Sequence, residues 1–153
     1  SPLQVGVRWL GTWWDRKPRF RRHVQDRCPR AVKVANHLRY LDSTKNGPPA
    51  YALRKVVTTV VIPTITYAAE CWYAGRTRPT RQGTTTSTRI GWHIEMVQRA
   101  ITSAARAILS VWMTTPNRTL CRDAGIPLAE VALEDIRLRF AFRFKLSTAP
   151  IPL

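Results

Sequence analysis

The acidic residues of this chain are too few and too scattered for the common catalytic arrangements. Nine of its 153 residues are Asp or Glu. Phosphoryl-transfer chemistry with two metal ions needs grouped carboxylates, and the sequence has no Asp-Asp pair. It also lacks a Gly-rich phosphate loop and the H-E-x-x-H and G-x-S-x-G motifs. We therefore predict no catalytic residue, no metal site and no cofactor within this chain.

The remaining polar residues of chemical interest are interpreted as structural. Glu70 lies in an otherwise apolar stretch, and a buried carboxylate needs a partner, so we predict a salt bridge to an Arg of another helix. Asp15 stands beside a basic cluster and is predicted to be a helix cap or a salt-bridge partner. The histidines lack the spacing of metal ligands and are predicted to be polar residues on helix surfaces: His23, His37 and His93.

The cysteines indicate a reducing environment. There are three of them, widely spaced and without a C-x-x-C pair, which disfavours both a disulfide framework and a zinc site. They are predicted to be buried, reduced thiols of a protein in the nucleus or cytoplasm: Cys28, Cys71 and Cys121. No run of about 20 apolar residues is present, so we expect no membrane-spanning segment.

Positive charge is the dominant signal. The chain has 25 Lys and Arg residues against nine acids, a net charge of +16. Residues 1–41 alone contain ten basic and two acidic residues, a net charge of +8. Such an excess predicts a polyanionic partner, most simply RNA or DNA. The side chains predicted to contact phosphates are Lys17, Arg21, Arg22, Arg27, Arg30 and Lys33. The nearby Trp9, Trp13 and Trp14 could stack on a base or sugar, or pack beneath a hairpin.

Hydrophobic periodicity predicts elements that position these residues. Residues 4–14 alternate and contain Leu10-Gly11, which is typical of a β-hairpin. Apolar positions between 20 and 41 follow helical spacing, and Pro29 either kinks this helix or separates two shorter ones. Residues 50–61 are apolar nearly all round and are predicted to form the central buried helix, which Pro63 breaks or kinks.

The second half of the chain is also predicted to be helical. Residues 75–89 lack periodicity and are interpreted as a solvated loop. A helical stripe follows over 90–112, then a short helix that Gly125 closes, and a last helix that begins near Pro127. Residues 136–146 alternate like a strand, but the start signal at Pro127 and the absence of turn residues favour a helix. The fold is therefore predicted to be mainly α with an N-terminal β-hairpin.

An ordered set of motifs resembles one family. Residues 7–15 resemble the x-x-L-G-x-x-h-D hairpin that closes the polymerase domain of non-LTR (LINE-like) retrotransposon reverse transcriptases, and residues 20–24 resemble its F-x-x-H-h segment. Residues 63–72 are similar to P-x-h-x-Y-G-x-E-x-W, with Ala68 where the family often has Gly. Residues 97–128 are similar to the later run h-Q-R-x-h…R-A-I-L…T-T-P…A-G-I-P-P-L. The resemblance is colinear over nearly the whole chain.

The resemblance implies a thumb-like helical bundle that serves a polymerase. Residues 1–15 would be the primer-grip hairpin at the end of the palm, 16–74 the basic thumb region, 75–89 a Thr- and Arg-rich loop, and 90–153 a helical connector. Arg8, Trp9 and Gly11 of the hairpin would lie at the nucleic acid. The partners would be an RNA–DNA or DNA duplex and a polymerase core preceding Ser1, which would hold the catalytic carboxylates and Mg²⁺.

On this basis the chain is expected to belong to an RNA-directed DNA polymerase without being catalytic by itself. Two other interpretations remain open from the residues alone. One is a separate basic RNA-binding structural protein, and the other is a helical protein-interaction module whose charge serves solubility or an acidic partner.

Overall fold

The computed structural model describes residues 6–17, 19–41, 47–81 and 83–148, and within them the chain is mainly helical with an N-terminal hairpin, as predicted. The strands are β1 (Val7–Trp9), β2 (Thr12–Trp14), β3 (Thr77–Pro79) and β4 (Thr85–Ser87). The helices are α1 (Arg21–Leu41), α2 (Ala50–Val56), α3 (Ile62–Ile65), α4 (Gly91–Ile108), α5 (Asn117–Ala124) and α6 (Ala129–Thr148). A π-helical turn, Val57–Val61, joins α2 to α3, and Ala69–Cys71 form a 3₁₀ turn.

The N-terminal hairpin is a tight two-residue connection between antiparallel strands. Trp9 pairs with Thr12 across the turn, and the two turn residues, Leu10 and Gly11, both have positive φ angles of 47° and 77°. Positive φ at both positions is the conformation that matches the twist of paired strands. The hairpin prediction is thus confirmed for 7–14, whereas its first predicted residues, 4 and 5, lie outside the described residues.

Helix α1 continues through Pro29 as one helix, which excludes the alternative of two shorter helices. Pro29 is exposed, so its ring lies on the side of the helix away from the core. The opposite side is apolar and buried, and its residues recur at helical spacing: Val24, Cys28, Ala31, Ala35 and Leu38.

Helix α4 forms the centre of the bundle, and the prediction that residues 50–61 would do so was wrong. Helix α4 contacts α1, α2, α3, α5 and α6. In the 50–61 segment Val57 and Val61 are buried, whereas Thr58, Thr59 and Val60 lie on an exposed side of the helix. The two threonine hydroxyls donate to preceding backbone carbonyls there. Helix α4 instead carries many small buried residues, which allow close approach by its neighbours: Ala100, Ala104, Ala105 and Ala107.

Pro63 does not end the second helical segment. It occupies the first turn of α3, where a missing backbone N–H is tolerated. The preceding π-helical turn accommodates the change. Most buried apolar residues of both halves of the chain belong to one hydrophobic cluster that extends in sequence from Val24 to Leu133.

Residues 75–89 are not a plain loop, which corrects that part of the prediction. Strands β3 and β4 pair in antiparallel register, with Arg78 opposite Thr86. Thr80 continues the pairing beyond the strands, because its backbone N–H donates to the carbonyl of Thr84 at 2.7 Å. The β-branched threonines favour a strand, but all six strand residues are exposed. A hairpin with no buried side lacks the apolar alternation by which strands are predicted.

The C-terminal helices follow the predicted boundaries closely. Gly125 closes α5 in the left-handed conformation, with φ 63°, and the Ile126 N–H donates to the Cys121 carbonyl in the accompanying C-terminal capping bond. Residues 136–146 are helical within α6, as predicted. Their alternating apolar residues consequently spread around the helix and are exposed: Leu138, Phe140, Phe142, Phe144 and Leu146. None of the helices in the described ranges has the length and apolar content needed to cross a membrane.

Ala68 adopts an unfavourable backbone conformation where the family pattern often has Gly. Its φ and ψ are 57° and 25°, in the left-handed region. This conformation costs an L-residue about 1–2 kcal/mol, whereas Gly adopts it readily. We expect Ala68→Gly to raise the free energy of unfolding by about 0.5–1 kcal/mol, because relief of this strain exceeds the added entropy of the unfolded chain.

Urea unfolding followed by circular dichroism measures this change. Ala141→Gly is the control, because Ala141 is an exposed residue inside α6. There the same replacement should lower stability by about 0.5–1 kcal/mol. A loss of stability in both variants would show that Ala68 is not strained.

Candidate nucleic-acid interface

Two side chains from other parts of the chain hydrogen-bond to the turn of the N-terminal hairpin. The Arg27 guanidinium donates to the Gly11 carbonyl at 2.8 Å, and the Tyr67 hydroxyl donates to the Leu10 carbonyl at 2.7 Å. Arg27 also lies over the Tyr67 ring, 4.2 Å from its centroid. A Cβ added to Gly11 would lie 3.2 Å from Arg27 and 3.3 Å from Tyr67. Gly11 therefore serves close packing in addition to its φ of 77°, and Arg27 orients the hairpin.

His23 joins the hairpin to α1 and to the segment after α3. Its Nε2–H donates to the Tyr67 carbonyl at 2.9 Å, while Nδ1 accepts from the Trp13 backbone N–H at 3.4 Å. The residue is only 1% exposed, so the prediction of a helix-surface residue was wrong. Burial lowers the pKa of His23 because the imidazolium would lose its hydration.

His93 is also buried, which corrects its predicted place on a helix surface. Its Nε2–H donates to the Arg19 carbonyl at 2.6 Å, and its ring stacks on Trp72 at 5.4 Å between centroids. Burial lowers the pKa of this imidazole as well. Of the three histidines only His37 is exposed, as predicted.

Three of the predicted phosphate contacts lie on the exposed side of α1. Arg22, Arg30 and Lys33 are separated by eight and three residues and are all exposed. From Arg22 to Lys33 the helix advances about 16 Å at 1.5 Å per residue, a length of roughly five base pairs at 3.4 Å each. Arg30 also forms an ion pair with Asp26 at 2.8 Å. We call Arg22, Arg30 and Lys33 the basic row.

The other predicted contacts flank the basic row. Arg8 and Lys17 are exposed. Arg21 is exposed and lies over the Trp92 ring at 5.4 Å, toward α4. Arg27 is half-buried and bonded to the hairpin turn. Its guanidinium is thus partly occupied, a contact that sequence periodicity could not indicate.

The three tryptophans of the hairpin have different environments. Trp9 is 62% exposed. Trp13 is half-buried, with the Arg22 guanidinium over its ring at 3.9 Å. Trp14 contacts Phe20 edge-on, at 5.2 Å between centroids. Trp9 thus has the ring surface most accessible for stacking, while Trp13 and Trp14 pack at the base of the hairpin.

The acidic residues are mostly paired away from the N-terminal region. Glu70 bonds to Arg143 of α6 at 3.5 Å, confirming the predicted salt bridge to another helix. Asp15 was predicted to be a cap or ion-pair partner, yet it forms no ion pair with a described residue. Helices α4 to α6 contain five further acids that form ion pairs: Glu95, Asp123, Glu130, Glu134 and Asp135. Because these pairs neutralise charge within the C-terminal helices, the positive excess is concentrated elsewhere.

Two of the three cysteines are buried. Cys28 and Cys121 are buried, as predicted, and burial raises the pKa of the Cys28 thiol to about 11. Cys71 is exposed instead, and its predicted burial was wrong. All three are free thiols. The residues that the structure describes contain no group of His, Cys, Asp and Glu that could hold a metal ion.

The chain matches no protein-family model, no curated protein and no solved structure. Its resemblance to reverse transcriptases therefore rests on the sequence motifs alone.

Proposed function

We propose that this chain is a nucleic-acid-binding part of a retrotransposon reverse transcriptase and that it grips the primer–template duplex without reading its sequence. The observation that carries the proposal is the basic row of Arg22, Arg30 and Lys33, exposed on α1 beside a hairpin with an exposed Trp9. Helix α1 has six basic residues and one acid. Phosphate contacts of this kind supply affinity and position without base specificity.

A second support comes from contacts between the motifs that carry the resemblance. Leu10 and Trp13 of the hairpin motif, His23 of the next motif and Tyr67 of the third are joined by hydrogen bonds. In the later motifs Gln98 accepts from the backbone N–H of Ala129, the first residue of α6, at 2.9 Å. The motifs thus supply the residues that orient the hairpin and helices relative to one another.

In this proposal the hairpin and α1 form a single binding edge. Arg27 and Tyr67 fix the hairpin turn, and His23 fixes its second strand. Such a hairpin would hold the end of a primer, while α1 lies along the duplex backbone. Polymerisation itself, and the Mg²⁺ ions it requires, would belong to a separate polymerase core.

Fluorescence anisotropy of a labelled RNA–DNA duplex, measured across a salt series, tests this function. We expect binding that is insensitive to scrambling of the sequence. The slope of log K against log salt should be about −3 or steeper, because the three residues of the basic row each contribute about −0.9. The control is a disordered peptide of equal net charge. Binding no tighter than that of the peptide would contradict an organised site.

One observation favours a second candidate, a helical protein-interaction module. Large apolar side chains of α6 are exposed, including Phe142 at 68% and Leu146 at 75%. Exposed apolar groups of this extent often mark protein contacts. Salt-insensitive binding to a protein, with no affinity for the labelled duplex, would support this candidate and contradict the first.

A further inference from the structure

The two most basic segments of the chain meet at one cavity. Residues 1–41 carry a net charge of +8, and residues 75–89 contain four arginines and no acid. Between them lies a cavity of about 700 Å³. The lining residues that matter here are Arg19, Arg21, Arg78, Arg89, Trp72 and His93.

The described residues that line this cavity include four arginines and no carboxylate. Within the described part of the chain, none of the four guanidinium groups forms an ion pair with an Asp or Glu, whereas seven other arginines do. Four like charges around one cavity repel one another, and a bound anion would remove that repulsion.

Two lining residues of the cavity each have a buried nitrogen atom without a hydrogen-bond partner among the described residues. His93 is 6% exposed, and its Nδ1 has no hydrogen-bond partner, although its Nε2–H is bonded to Arg19. The indole N–H of Trp72, which stacks on His93, is likewise unpartnered. A buried polar atom without a partner costs about 1–3 kcal/mol. The indole N–H is a hydrogen-bond donor, and an acceptor-rich ligand that reached it would supply its missing partner.

The N-terminus of α4 adds a third feature. Ile90, the residue before this helix, lines the cavity, and no side chain caps the helix start. The first turn of α4 contains no acid. The first backbone N–H groups of a helix and its dipole favour an anion.

We propose that this cavity binds a terminal phosphate group, a phosphomonoester, of a nucleotide. A phosphomonoester carries a charge of roughly −1.5 to −2 and has three acceptor oxygens. It therefore suits four guanidinium groups better than a phosphodiester with its single charge. The group could belong to the 5′ end of a nucleic-acid strand or to a free nucleotide. Binding of a strand end rests on the function proposed above, whereas binding of a free nucleotide does not.

The test compares a short labelled strand bearing a 5′-phosphate with the same strand bearing a 5′-hydroxyl, in anisotropy titrations of the full chain. We expect the phosphate to tighten binding about tenfold or more. The ratio of the dissociation constants of the two strands measures the contribution of the terminal phosphate, because non-specific attraction acts on both strands nearly equally. A ratio below about two in the wild-type chain would overturn the proposal.

The variant Arg78→Gln with Arg89→Gln should reduce this ratio to below about two. Both residues are exposed, and thermal unfolding confirms that the variant remains folded. The matched control is Arg81→Gln with Arg118→Gln, which removes the same charge from exposed positions outside the cavity lining. An equal reduction of the ratio in the control would overturn the assignment to this cavity.

Competition identifies the source of the phosphate. Inorganic phosphate and a nucleoside 5′-monophosphate are added to the complex with the 5′-phosphorylated strand. Displacement by either one supports a site for small phosphates, and displacement by neither, with the tenfold ratio intact, supports a strand-end site. A 5′-phosphate preference without duplex affinity would refute the duplex function alone. Duplex affinity without that preference would refute this inference alone.

Discussion

Replacing the basic row with glutamine should weaken duplex binding by roughly 100-fold or more at 0.1 M salt, because three phosphate contacts each contribute about −0.9 to the salt slope. The variant is Arg22→Gln, Arg30→Gln and Lys33→Gln. The slope itself should become shallower by about 2.7 if each side chain neutralises one phosphate. Anisotropy with the labelled RNA–DNA duplex across a salt series measures both quantities.

The control removes the same charge from the C-terminal half of the chain. It combines Arg118→Gln, Arg139→Gln and Lys145→Gln, all at exposed positions. Arg139 is paired with Asp135, just as Arg30 is paired with Asp26, so each triple variant includes one arginine of an i,i+4 ion pair. We expect the control slope to change by less than about one. Equal changes in both variants would mean that binding depends on net charge and not on α1.

Replacing His23 with alanine should lower the free energy of unfolding by about 2–4 kcal/mol. The change removes a buried ring and leaves the Trp13 N–H and the Tyr67 carbonyl without their side-chain partner. Because these two groups belong to β2 and to the segment after α3, the loss should loosen the hairpin first. Urea unfolding gives the stability, and hydrogen exchange at the amide of Trp13 reports the hairpin directly.

His37→Ala is the matched control, since His37 is exposed on the same helix. Surface substitutions of this kind usually change stability by no more than about 0.5 kcal/mol. A loss of the same small size in the His23 variant would show that the hairpin docks without the imidazole.

The pH profile of the same measurement separates the charge of His23 from its volume. Burial lowers the pKa of His23 in the folded state, so the unfolded chain binds the proton more tightly. Stability is therefore fully present above the unfolded pKa of about 6.5 and declines as pH falls below it. The His23→Ala variant should retain only the smaller decline due to His93, whose pKa burial also lowers. Identical acid-side profiles for wild type and variant would contradict the neutral buried state of His23.

The elements of this chain were largely predictable from local sequence. In α1 and α4 the apolar positions recur about every 3.6 residues, because one side of each helix packs against other parts of the protein. This spacing can be recognised in the sequence without knowing what the helix packs against. Gly11 and Gly125 mark turns because the chain there needs positive φ angles, 77° and 63°, that other residues adopt only with strain. The net charge and its N-terminal excess are likewise properties of composition.

Three features became clear only from the tertiary structure, because they depend on residues far apart in sequence. His23 and His93 were predicted to be surface residues, yet both are buried. Each ring is hydrogen-bonded to a backbone carbonyl that lies 44 or 74 residues away in sequence. Helix α4 is central because its small residues admit close neighbours on several sides, whereas the more apolar 50–61 segment turns its threonines outward.

The sequence by itself determines that the chain is basic and mainly helical, since charge and periodicity are local properties. The folded chain decides where that charge is organised. It leaves the basic row exposed on α1, engages Arg27 in holding the hairpin turn, and brings Arg19 and Arg21 to the same cavity as Arg78 and Arg89. These arginines are far apart in sequence and come together because α1 packs against α4. Long-range contacts therefore determine which of the positive charges lie close together.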